Sequence, residues 1–151
     1  VPFVRTAARR APHEPATVML AASTGWLLAG LVVDAARLAD ATDPYALAGD
    51  IAALVPWLVA GFVVQVLLGA LSYLVPVLLG GPPSVGRRTA AELNRWADAR
   101  VIALNAGALL IALPGTVPTR AGWLLVAASV LAFAVLTISA VVARTRAGVT
   151  P

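Results

Sequence analysis

Between residues 61 and 81 the sequence GFVVQVLLGALSYLVPVLLGG sets an amide (Gln65), two hydroxyls (Ser72 and Tyr73) and a proline (Pro76) into an aliphatic run. On a helix, Gly61, Gln65, Gly69, Ser72 or Tyr73, and Pro76 recur at steps of three or four and form one stripe. Phe62, Val63, Val66, Leu67, Ala70, Leu74 and Val77 make the opposite, bulky face. Inside hydrocarbon, small residues let two helix backbones approach, and an amide then bonds across the contact for about 0.6 to 2 kcal/mol. Pro76 has no N–H, which frees the carbonyl of Ser72 and favours a kink. Asn105, with Gly107 and Ala108, offers a matching set on a later run, and Ser23, Thr24, Gly25 and Gly30 offer another on an earlier one. Counting from the ends of the runs puts Gln65 in one half of the apolar layer and Asn105 in the other. The expected partners of Asn105 are therefore Ser72 or Tyr73, and not Gln65. The set Gly61, Gln65, Gly69, Ser72, Tyr73, Pro76 and Asn105 reads as a helix-packing stripe ahead of a substrate- or quinone-binding cluster.

Other chemistry is scarce. The chain has no cysteine, so disulfides, zinc–thiolate sites, iron–sulfur clusters and a cysteine nucleophile are excluded within it. Haem and copper need His, Met or Cys ligands, and the sequence offers only His13, beside Glu14 in a proline-flanked tail, and Met19. No Ser-His-Asp arrangement can be placed. Asp34, near the outer end of the first run, is the one intramembrane acid to consider, and Arg37 three residues on supplies a local ion-pair partner at the interface. No catalytic, cofactor-binding or metal-ligating set is assigned to this chain.

The elements that must carry these residues follow from composition. Of 151 residues, 60% are hydrophobic and 12% charged, and mean hydropathy is +0.90. Soluble domains carry about 25% charged residues, so the solvent of this chain is in part lipid. Four runs read as spans: residues 16–38, 51–80, 101–118 and 121–143. The first uncharged stretch, ATVMLAASTGWLLAGLVV, rises about 27 Å as a helix against a hydrocarbon core of about 30 Å. The second span is taken to begin near Pro56, with Trp57 at a membrane boundary. Trp123 is read the same way. The third is the least regular, since Asn105, Gly107, Pro114 and Pro118 interrupt it.

All the cationic side chains are arginines, and their distribution sets an orientation. Arg5, Arg9, Arg10, Arg87, Arg88, Arg95, Arg100, Arg144 and Arg146 fall on one side of the four-span scheme, and Arg37 and Arg120 on the other. The positive-inside rule then puts both termini and the loop 81–100 in the cytoplasm. In that loop Gly80 to Pro83 stops a helix, Thr89 with Glu92 fits a capping box, and Ala91, Leu93, Trp96 and Ala97 make an apolar face. A net charge of +4 and a pI near 11.1 would suit nucleic acid, but no basic stripe with interleaved aromatics exists, so nucleic acid is not an expected partner. The expected partners are the lipid bilayer and other transmembrane helices of the same or another chain.

QVLLGALSYLVPVLLGG, an arginine-bearing loop and then RVIALNAGALLIALP resemble the membrane-spanning region of actinobacterial multi-spanning proteins of the copper-oxidase or nitrite-reductase-like type. Those look distantly like the haem–copper oxidase membrane core. The likeness covers residues 51–114 and is a packing pattern; the lysine-free, arginine- and alanine-rich composition suits the same source. The resemblance implies a place beside copper or respiratory redox chemistry in the cell membrane, but no histidine ligand can be carried over onto these spans. The chain begins VPFV and not with Met, which reads as a fragment or a processed chain. The expected architecture is an all-α, integral membrane four-helix bundle with both termini cytoplasmic. The second functional reading, a fragment of a small-solute or ion transporter, predicts an internal repeat, and spans one to two and three to four share only weak small-residue patterns.

Overall fold

Proline and glycine positions divide the chain into its helices. The computed structural model describes residues 15–41, 44–79 and 89–147. The His13–Glu14 pair, the Gly80–Pro83 helix stop, Arg87, Arg88 and both tails lie outside them. Helix α1 is Pro15–Asp40, entered on a proline that costs no hydrogen bond in a first turn. Helix α2, Pro44–Leu58, also begins on proline. It runs without interruption through a π-helical turn, Val59–Val63, into α3, Val64–Leu79. Helix α4 is Ala97–Ala112 and α5 is Thr116–Ala147. Among the described residues the structure is all-helical, with no strand.

Three stretches are long and apolar enough to cross a membrane: Ala16–Asp40, Ile51–Leu78 and Thr116–Ala143. The run taken as the third span, 101–118, is divided. Helix α4 has 16 residues, a rise of about 24 Å. It ends at Ala112 because Leu113 turns to an extended backbone and Gly115 takes φ +115°, a conformation open to glycine. Pro118 then falls in the first turn of α5, where Thr119 Oγ1 donates to the carbonyl of Gly115 at 2.8 Å.

The second span also differs from its expected start. Pro56 lies inside α2, where its missing N–H removes one ladder bond, and the π turn follows three residues later. There the Val64 N–H reaches the carbonyl of Val59, five residues back. The apolar stretch thus begins at Ile51, and Gln65 sits at its middle.

Residues 89–93 are helical and stop in a turn at 94–96. Trp96 there adopts φ 63°, uncommon for a bulky side chain, and heads α4. This break splits the expected amphipathic face: Leu93 and Ala97 are buried, while Ala91 and Trp96 are exposed. Arg100, expected as a surface charge, is only 3% exposed. Its Nη2 donates to the carbonyl of Leu93 across the turn, and its guanidinium lies 5.1 Å from the Phe133 ring centre. Nε and Nη1 have no hydrogen-bond partner.

The most extensive helix pairing joins α4 to α5, and α1 lies mainly against α3. Met19, Leu54, Trp57, Leu68, Leu104 and Phe133 belong to the buried core. Trp57, expected at a boundary, is 8% exposed, whereas Val32, Leu78 and Leu124 stand out from the bundle. The core thus mixes large side chains with glycine, alanine and serine, while many large aliphatic groups face outward, as they would on helices that cross a membrane.

Candidate functional site

Trp26, Gln65 and Asn105 converge where α1, α3 and α4 meet. Asn105, at the middle of α4, is held by its own helix: Nδ2 donates to the carbonyl of Val101 at 2.8 Å. That fixes Oδ1 as an outward acceptor. Trp26 of α1 donates Nε1–H to it at 2.8 Å, and Gln65 of α3 donates Nε2–H at 3.4 Å. The first is a full hydrogen bond and the second is close to the limit of one. Gln65 is wholly buried, and its Oε1 has no partner. Trp57 of α2 meets Trp26 edge to face, ring centres 5.7 Å apart at 79°, a favoured aromatic geometry.

Gly61 makes the arrangement sterically possible. A Cβ there would stand 2.6 Å from Cγ and 2.8 Å from Cδ2 of Trp26. Gly61→Ala is therefore expected to push the indole off Asn105 and to cost about 1 to 3 kcal/mol, the usual range for overpacking, read as a lower midpoint in detergent unfolding.

The expected opposition of Gln65 and Asn105 in depth does not hold. They meet, because Gln65 lies at the middle of an apolar stretch that begins at Ile51 instead of Pro56. Ser72, an expected partner of Asn105, instead donates to the carbonyl of Leu68 in its own helix at 2.7 Å. Tyr73, the other, is 68% exposed. Of the stripe, Gly61, Gln65, Gly69 and Ser72 are buried and Pro76 is half-buried. A Cβ on Gly69 would meet Met19 of α1 at 3.4 Å, an ordinary contact. Ser72, Tyr73 and Pro76 line a cavity of about 260 Å³ together with Ala16 and Asn94. Ser23 and Thr24 turn back to the carbonyl of Leu20 and take no part in the cluster.

Trp26 is the member that stripe counting misses. Its signal is nevertheless in the sequence: an indole N–H in the middle of an apolar span must find an acceptor, and Asn105 is the one side-chain acceptor in the run 101–112.

The cluster consists of two amides and an indole, all neutral at ordinary pH. It offers hydrogen bonds but no nucleophile and no titrating base. Among the described residues no three His, Cys, Asp or Glu side chains come together in a metal-binding group. No protein-family model matches the chain, and comparison with curated proteins and with solved structures brings up no match.

Proposed function

We propose that the chain is an integral, multi-pass helical module of the cell membrane whose buried polar cluster ties helices together. One observation carries this reading: Trp26 and Gln65 both donate to Asn105 Oδ1, which links α1, α3 and α4, while many large aliphatic side chains face outward. In lipid, where apolar burial gives no preference for helix contact, such bonds and close small-residue packing supply the association. In this reading α4 is a fourth crossing, shorter than its neighbours because α1, α2 and α5 surround it, and the three-residue turn to α5 completes its length. With α4 as a fourth crossing, the arginine asymmetry supports cytoplasmic termini.

The further proposal that this module belongs to a respiratory or copper-oxidase-type membrane protein rests on the resemblance of residues 51–114. It makes the chain a non-catalytic part, with any haem or copper ligands supplied by sequence outside these residues. The test is direct loading: the purified chain in detergent is given haemin or Cu(I). The expected result is no stoichiometric binding and no shift of the haem absorption band. Tight binding of one equivalent of either would overturn the proposal.

A further inference from the structure

At the end of α1 remote from the Ser72 cavity, a crevice of about 160 Å³ opens between α1 and α2. Leu27, Leu31, Leu54, Val55 and Leu58 line it, and Asp34 is its one charged group. On α1, Leu27, Leu31 and Asp34 recur at steps of four and three, which sets them on a single face. Gly30 lies on that face too, and Leu58 of α2 fills the place its Cβ would need, which makes the apolar floor. Leu31, Ile51 and Val55 are exposed, so the crevice is open from the side. Arg37, one turn further along α1, is not part of the lining.

Half-buried Asp34 sets one carboxylate against an otherwise apolar wall, an arrangement that favours a cationic or donor partner. We infer that this crevice binds a primary ammonium carried on an apolar body, the ammonium on the Asp34 carboxylate and the body between Leu27, Leu54 and Leu58. The volume suits a single aromatic ring, since a cavity of about 150 Å³ accepts benzene. A free arylalkylamine presents this chemistry, and so does the headgroup end of an ethanolamine phospholipid. An ammonium–carboxylate hydrogen bond is of the stronger, charge-assisted kind, so its loss is expected to weaken binding on the order of tenfold or more.

The experiment titrates the purified chain, in an uncharged maltoside detergent, with 2-phenylethylammonium and with its neutral counterpart 2-phenylethanol. The wild type is expected to bind the ammonium saturably, one per chain, and the alcohol at least about tenfold more weakly. Asp34→Asn should lose that preference and Asp34→Glu should keep it. Val55→Phe should fill the crevice and abolish binding with the carboxylate intact. Unchanged unfolding midpoints certify each variant. Displacement of the probe by phosphatidylethanolamine and not by phosphatidylglycerol identifies the headgroup as a source of the ligand; displacement by neither identifies a free amine. Equal displacement by both lipids would mean that the crevice takes acyl chains, and the inference fails. It fails equally if the Asn variant binds the ammonium as the wild type does, or if the wild type shows no saturable binding.

Discussion

Gly122→Ala is expected to separate α4 from α5 and to cost about 3 kcal/mol, the upper part of the range for overpacking. A Cβ on Gly122 would stand 2.6 Å from the carbonyl oxygen of Gly107, 2.7 Å from Cγ1 of Ile111 and 3.0 Å from its backbone nitrogen. Two of these are backbone atoms of a helix, which no rotamer change can move, so the helices themselves must part. The reciprocal contact is also close: a Cβ on Gly107 would lie 2.9 Å from the Gly122 oxygen. This crossing belongs to the most extensive helix pairing in the structure, so its loss should lower the unfolding midpoint more than any other single methyl. Gly25→Ala is the control, since a Cβ there meets nothing within 4 Å. It should leave the midpoint unchanged or raise it slightly through helix propensity.

Asn105→Leu is expected to cost about 2 kcal/mol, and Gln65→Leu to cost no more than about 1 kcal/mol. The two amides differ in what their loss leaves behind. Asn105 supplies the oxygen that the Trp26 N–H reaches at 2.8 Å. Without it a half-buried indole donor loses its partner, and much of the desolvation penalty of that group appears. Gln65 contributes a 3.4 Å contact and brings an acceptor that is already unsatisfied. Leucine removes both, and the gain partly offsets the loss. Unfolding of the single and double variants in detergent separates the cases, because a true Gln65–Asn105 coupling leaves the pair non-additive. Equal costs for the two single changes would contradict Asn105 as the hub.

The helical character and three of the four candidate spans were legible from composition and run length, because both depend on amounts of apolar surface and not on geometry. The stripe was legible in part. Gly61, Gln65 and Gly69 are buried on it, but Tyr73, which shares its register with Ser72, is exposed. Helical periodicity cannot decide between neighbours one residue apart at a stripe's edge. Depth was misjudged at one residue, Pro56. Read as a helix start it put Gln65 and Asn105 apart; the structure carries the helix through it, with a π turn absorbing the disturbance. Trp57 went astray for the same reason, since a tryptophan near a proline looks like a boundary anchor until the helix is known to continue. Arg100 was hidden by the Trp96 turn, whose left-handed backbone has no signature in a tryptophan. The Gly107–Gly122 contact joins two runs, and a single sequence shows which glycines are available without showing which of them meet.

The central claim is a membrane bundle in which α4 crosses and both termini share one side. Native cysteine is absent, so single cysteines can be introduced without background and labelled in intact bacterial cells with a membrane-impermeant maleimide. Ala41→Cys and Thr116→Cys should label from outside, whereas Ala99→Cys and Thr145→Cys should label only after the membrane is opened. If positions 99 and 116 instead label from the same side, α4 does not cross and the account is wrong.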